Sequence, residues 1–488
     1  LRGKMLWAAA IIAGVICAAC FLYWDRNILL GKEEKALAWE QEAENRRLFP
    51  HPDSTWYDME LTLDAASGII YGHTFLTTRN TSGKALKELW FTAYPNAFKD
   101  KKRTPAPREA YYAGFDEGWL KVEKIRVNGI TSVFVEKDVN ILVILLEEMQ
   151  EGEDIKIEME WKAKVPKASY RYGYKEGVFM LSYFYPMLNV LSEKGWHKGA
   201  NYPWGEPFCL PTANYRVKIT VPAPYEVVAT GKEIGTIMRK GQNKEYHLEG
   251  RNIRDFCLAA LVGYQKIEGR NRIADIKVWA PKERAFWAKE VLTEASSILL
   301  FYSAVFCSYP YDDFKIVFVP MQGFEGMEYS GLIFLQERFL QPGFADNKKA
   351  VFILAHEIAH QWWYNLVGND QMAEPWLDEG LADFSAYKYM TGVRGEKALD
   401  RLQGTVNLGK GLKDMASRKD YYQTAYYGGE AFFAGLEEML GEEMVYNILR
   451  SYLAHYKYDI ASREDLFYII EMESGKKLDA YFASWFKE

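Results

Sequence analysis

Val351 to Asn365 reads VFILAHEIAHQWWYN. The run holds no Gly or Pro, and apolar residues surround its two histidines, so it predicts a buried helix. His356 and His360 are four residues apart, which stacks their imidazoles on one helical face. From there both rings can reach a single zinc ion at about 2.0–2.1 Å. Glu357 stands beside them, placed to take a proton from a water on that ion. The pattern HExxH is therefore a metal motif with a mechanism attached.

Catalytic zinc wants three protein ligands and an open position. Glu379 follows His360 by nineteen residues, in EPWLDEGLADFSAYKY, a second helical stretch beginning near Pro375. Trp376, Leu377, Leu381 and Ala382 around it predict burial, where a carboxylate without a partner is costly. Asp383, four residues further on, is a candidate partner for a ligand histidine. Upstream, KIVFVPM (Lys315 to Met321) reads as a strand, and the backbone of a bound peptide can align by adding to its edge. Gly326-Met327-Glu328-Tyr329 follows, and a carboxylate at such a strand edge suits a free amino terminus. Downstream, Tyr426-Tyr427-Gly428-Gly429-Glu430 leads into the helical pattern AFFAGLEEMLG. A phenol near the metal can donate a hydrogen bond to the oxyanion of a tetrahedral intermediate. His51, His73, His197, His247 and His455 show no ligand spacing and read as structural.

Outward from this centre, 488 residues imply two or three folded units, and the texture is that of two. From about Trp56 to Tyr264, short runs such as MELTLDA, IKIEMEW and YRVKITVP alternate apolar and polar residues between Gly, Asn and Pro, the pattern of an antiparallel β domain. Ala280 to Phe306 is a long helical pattern, and the chain beyond Gln336 is almost entirely helical. The arrangement is α+β. A net charge of −6 with no basic stripe gives no footprint for nucleic acid. Cys17, Cys20, Cys209, Cys257 and Cys307 form neither a disulfide framework nor a Cys-ligated zinc pattern. Met5 to Trp24 is twenty residues without a charge, long enough for a membrane-spanning helix, and Lys32 to Leu48 reads as a solvated helix leading away from it. Because the chain begins with Leu, a preceding membrane portion of a longer chain is also expected.

Together these residues resemble the gluzincin aminopeptidases of the aminopeptidase N family. The order is the family's: GMEY at 326–329 in place of G-x-M-E-N, HEIAH at 356–360, the glutamate of DEG, and YYGGEA at 426–431. RDFCLAALVGYQ at 254–265 resembles the family's exit from its β domain. The resemblance implies a saddle-like N-terminal β domain (51–265) on a thermolysin-like catalytic domain (266–488), behind an anchor at 1–24 and a helical linker at 25–50. It implies one Zn2+ on His356, His360 and Glu379, Glu357 as general base, Tyr426 rather than Tyr427 as the catalytic phenol, and Glu328 as the anchor for a peptide's α-amine. Two positions depart from the pattern. Tyr329 replaces the Asn after Glu328, and Tyr185 stands where a second amine anchor belongs, with Asn189, Glu193 and Glu206 as substitutes. The expectation is a membrane-anchored, extracytoplasmic zinc aminopeptidase acting on peptides. A metallo-endopeptidase and a membrane-tethered, zinc-containing peptide-binding module are the alternatives.

Overall fold

Alternation of apolar and polar residues produces two long strands, Trp56–Asp64 and Ile69–Arg79, whose burial alternates residue by residue. The computed structural model to which they belong describes residues 49–239, 242–396 and 406–487. They lie within an eight-stranded sheet in the order Lys232–Arg239, Asn243–Ile253, Ala213–Pro222, Trp56–Asp64, Ile69–Arg79, Asp154–Lys164, Trp119–Val127 and Ile130–Thr131. Every neighbouring pair is antiparallel except one: Trp56–Asp64 runs parallel to Ala213–Pro222. Parallel partners need a long crossover. Here the intervening chain builds most of two further four-stranded sheets. Their apolar faces join one core, where Met59, Ile157 and Trp161 of the large sheet cluster with Phe91, Phe179 and Leu258 of the smaller ones.

A further, five-stranded sheet carries the chain into its helical part. Its order is Tyr264–Arg270, Asp275–Pro281, Asp313–Val319, Leu332–Gln336, Gly326–Tyr329. Asp313–Val319 is parallel to both neighbours and buried along its whole length, as its continuous apolar run requires. Both of its edges are therefore occupied, which corrects the expectation that this strand offers an edge to substrate. The edge strands of this sheet are Tyr264–Arg270 and Gly326–Tyr329, the latter antiparallel to Leu332–Gln336.

The helix α1, Ala288–Val305, follows a 3₁₀ turn at Lys282–Trp287, while Ala280 still belongs to a strand. Helix α2, Lys348–Ala359, starts at Asn347, whose side chain accepts the Ala350 N–H at 3.2 Å. It stops earlier than the unbroken apolar run predicts. Asn365 closes the end, with both its backbone and side-chain N–H groups donating to the His360 carbonyl at 3.0 Å. Tyr364 takes a φ of +111°, which a continuing helix does not allow. Trp362 and Trp363, fully buried, leave the helix to pack on Tyr302 and Phe306 of α1 and its end. Helix α3, Trp376–Gly392, follows Pro375. A helical turn at Arg418–Tyr421 widens into a π-helix, Tyr422–Gly428, which runs on into α4, Gly429–Leu440.

The expected membrane span and most of the linker behind it lie outside the described residues. Among the described residues no helix is long and apolar enough to cross a membrane.

Candidate active site

His356 lies in the last turn of α2 and His360 caps it, so the imidazoles share one face as the spacing predicts, meeting edge to face at 84°. Their far nitrogens are tied. His356 Nδ1 is 2.8 Å from Asp383 Oδ1, and His360 Nδ1 is 2.9 Å from the Trp363 carbonyl oxygen. Each Nδ1 thus donates a proton and turns its Nε2 lone pair toward the other ring. The two Nε2 atoms stand 3.1 Å apart, and Glu379 Oε2 lies 3.2 Å from one and 3.5 Å from the other. Bonds of about 2.0–2.1 Å to a tetrahedral zinc ion separate its ligand atoms by roughly 3.3–3.4 Å. The triangle therefore fits zinc, and Glu379 Oε2 is otherwise a buried oxygen without a hydrogen bond. Three electron pairs converging in a dry site call for a cation. Burial pulls the imidazoles down, yet Asp383 and Glu379 outweigh it and hold His356 well above its ordinary value. Burial raises Glu379, and the two histidines outweigh it to hold that carboxylate far below its usual range.

Glu379 enters this triangle because two helices touch. A methyl group on Gly380 would fall 2.5 Å from the Cα of Gly429, and one on Gly429 would fall 2.7 Å from the Cα of Gly380. The contact brings the π-helix against α3. Tyr426 and Tyr421 then both donate to Glu379 Oε1, at 2.6 and 2.9 Å. With Oε1 occupied, Oε2 is left to the metal. The Tyr426 ring also stacks on His356, 12° from parallel, whereas Tyr427 is half exposed.

Glu357 is buried, with Oε2 unpartnered, and its pKa is pushed up to about 7 by burial, against the opposing pull of His356 and His360. The backbone of Gly326 lies directly on it: a methyl group there would overlap the Glu357 carboxylate. The edge strand thus passes over the base, and two residues on it carries Glu328. That side chain is buried and raised well above the carboxylate range by desolvation, then by Glu206, Glu357 and Glu379. Tyr329, on the opposite face of the strand, hydrogen bonds to Ser182 and packs beside Tyr183. The structure thus brings together all six sequence-predicted residues: His356, His360, Glu379, Glu357, Glu328 and Tyr426.

The second amine anchor resolves differently. Tyr185 lies in the β core, its hydroxyl 2.9 Å from that of Tyr215, and Asn189 accepts a bond from Thr92. Of the three substitutes, only Glu206 acts electrically on Glu328. It is not free, because Arg171 pairs with it inside a ring of Tyr94, Tyr183, Phe208 and Phe324. Tyr421 and the Trp363 carbonyl escaped sequence reasoning. A carbonyl has no sequence signature, and Tyr421 joins Tyr426 only because a π turn sets residues five apart on one face.

Residues 290–485 match the model of the Peptidase family M1 domain. Aminopeptidase M1 of Arabidopsis thaliana is 26% identical over 312 residues, 58% of this chain and 35% of that protein. The tricorn protease-interacting factor F2 of Thermoplasma volcanium is 28% identical over 206 residues, 38% of this chain and 26% of its own. The chain spans about a third of the length of the curated relatives it matches first. Among solved structures, the M1 zinc metallopeptidase from Deinococcus radiodurans superposes with a TM-score of 0.61 at 16% identity, covering 91% of this chain and 94% of that one. A two-domain M1 zinc metallopeptidase bound to L-tryptophan gives 0.64 at 16% identity, over 91% and 95%. At such identity these two share the fold. The HExxH helix, the distant glutamate and the tyrosine all lie within the stretch that matches the Peptidase family M1 domain, and over that stretch the chain is similar to the aminopeptidases of the M1, or aminopeptidase N, family.

Proposed function

We propose that this chain is a zinc-dependent aminopeptidase that removes N-terminal residues from peptides. The observation that carries this reading is the triangle of His356 Nε2, His360 Nε2 and Glu379 Oε2 with the unpartnered Glu357 carboxylate beside it. Those three atoms would hold one zinc ion, which supplies Lewis acidity to water and carbonyl when bound. Glu357 takes the proton as water attacks the scissile carbonyl and then passes it to the leaving nitrogen. A base near pKa 7 suits both halves of that task. Tyr426, whose O–H already points at the ligand triangle, donates to the oxyanion. The peptide backbone aligns along the free edge of Gly326–Tyr329. Glu328, on that strand, receives the α-ammonium of the first residue, which supplies the positive charge its buried carboxylate lacks.

Free-amine aminoacyl substrates and their N-blocked counterparts test the reading. Cleavage restricted to free amines supports an aminopeptidase, whereas cleavage of blocked peptides replaces it with an endopeptidase. Full zinc occupancy without cleavage of either replaces it with a binding module. Chelation should abolish turnover, and added zinc should restore it.

We also propose, from the uncharged run at 5–24 alone, that the catalytic unit is tethered to a membrane on its extracytoplasmic side. Release of the full chain from membranes by high salt, without detergent, would remove that part of the proposal.

A further inference from the structure

Away from the peptidase site, the described residues gather two more groups of metal-capable side chains: His73 with Glu158 and Glu160, and His197 with Cys209 and Asp370. The first is satisfied as it stands. Arg126 Nη1 donates to both oxygens of Glu158, at 2.9 and 3.0 Å, and His73 takes the first of them at 3.0 Å. The second group is not explained so simply.

In that group an imidazole nitrogen, a thiol sulfur and a carboxylate oxygen all lie within 4.8 Å of one another. Asp370 is held rigidly, its Oδ1 accepting the N–H groups of Met372 and Ala373 at 3.0 and 3.1 Å. Its other oxygen, Oδ2, faces His197 Nδ1 at 2.7 Å. The far nitrogen, His197 Nε2, is 2.8 Å from Ser192 Oγ, and that oxygen already accepts the Lys194 N–H. An imidazole whose outer nitrogen is fixed by an oxygen while the inner one faces a carboxylate is oriented as metal-binding histidines are. A histidine–aspartate bond alone accounts for two of the three side chains. It leaves Cys209 without a role: a buried thiol, aimed at both partners, with no hydrogen bond of its own among the described residues.

We propose that His197, Cys209 and Asp370 form a second divalent-metal site, of the zinc class, separate from the peptidase centre and independent of the activity proposed for it. One nitrogen, one sulfur and one oxygen donor select zinc over magnesium or calcium, which take oxygen donors. Three protein ligands leave a fourth corner for water. Binding transfers no electrons: the Cys209 S–H proton leaves to solvent, the single N–H of neutral His197 sits on Nε2, where it donates to Ser192 Oγ, and Nδ1, Sγ and a carboxylate oxygen bind the ion. The three ligands come from separate segments. His197 follows the short hairpin of Leu191–Ser192 and Gly195–Trp196, Cys209 precedes the strand Ala213–Pro222, and Asp370 lies between α2 and α3. The ion therefore staples the β-rich part to the loop that leads into α3. That loop already grips α3, because Asn369 and Gln371, on either side of Asp370, donate to the two oxygens of Asp378 at 3.0 and 2.7 Å.

Metal counting and cobalt spectroscopy on the full chain test this. Wild type should hold two zinc equivalents after exhaustive buffer exchange. The cobalt-substituted form should show a near-ultraviolet sulfur-to-cobalt absorption, which the two-histidine, one-glutamate centre cannot produce. Cys209→Ser should remove that band and lower the count to one. Glu379→Ala should also lower the count to one yet keep the band. A wild-type spectrum without the sulfur band overturns the site, whatever the zinc count. A band that survives Cys209→Ser overturns it too, by placing the thiolate elsewhere. The wild-type spectrum alone decides if a variant fails to fold.

Discussion

Two phenols spend their protons on one oxygen. Tyr421 and Tyr426 both donate to Glu379 Oε1, but only Tyr426 also stacks on His356, so their losses should differ. Tyr421→Phe removes a bond that orients a metal ligand and should weaken zinc binding about 10–100-fold, with turnover at saturating zinc little changed. Competition against a chromophoric chelator reads this, and an unchanged zinc affinity would remove Tyr421 from the site. Tyr426→Phe should lower kcat by roughly 10²–10³-fold, as the loss of an oxyanion donor does, with a smaller effect on KM. Glu357→Gln keeps the metal triangle and should lower kcat by about 10²–10⁴-fold, the usual worth of a general base. Near-normal turnover with zinc bound would refute the base assignment. At this scale the sequence was legible for the placing of the candidate ligands, because HExxH encodes a spacing that any helix converts into a shared face. It was silent on what holds those ligands. The Trp363 carbonyl is not a side chain, Tyr421 depends on π geometry, and His197, Cys209 and Asp370 meet only through tertiary folding.

Helix ends and helix crossings decide where those residues go. Burial and periodicity foretold α2 and α3, and Pro375 marked the start of α3. The end of α2 could not be read from apolar content, because Trp362 and Trp363 are as apolar as a helix interior but leave it for pockets beside α1. The edge strand escapes a sequence pattern for a related reason. A run buried on both faces shows where a strand lies, not which neighbours flank it, and only the pairing reveals that Asp313–Val319 is interior. The crossing of α3 and α4 rests on Gly380 and Gly429, whose backbones touch. Gly429→Ala must push the helices apart by more than a side-chain adjustment can absorb. The expected cost is about 1–3 kcal/mol, read from the urea midpoint, because overpacking strains the backbone. Zinc affinity should fall with it, since Tyr421 and Tyr426 ride on the displaced segment. A variant that is destabilised but binds zinc normally would show that the crossing supports the fold and not the ligand.

Across the whole molecule, one dipeptide joins the β-rich part to the catalytic helices. Arg254 donates to the carbonyls of Leu210 and Asp459, at 2.7 and 3.0 Å, and the next residue, Asp255, accepts the Ser330 N–H and the Tyr364 hydroxyl, at 3.2 and 3.0 Å. The same RD pair opens the RDFCLAALVGYQ run, so its place was legible, although its bonds were not. Burial raises Asp255 from 3.8 to about 6, against the opposing pull of Ser330, Tyr364 and Arg254. A carboxyl with a raised folded-state pKa is held protonated by the native structure. Its contribution is complete below the unfolded value and is lost as pH climbs through the folded one. The window is therefore about pH 4 to 6, and a shift of this size corresponds to roughly 3 kcal/mol. Asp255→Asn cannot ionise, so it should lose a fixed amount from altered bonding but escape that slope. Urea unfolding at a series of pH values should then show wild type losing stability relative to the variant from pH 4 to 6, and a constant gap above. Stability curves that run parallel across the window would mean that Asp255 stays ionised in the folded interface, with Arg254 as its counter-charge.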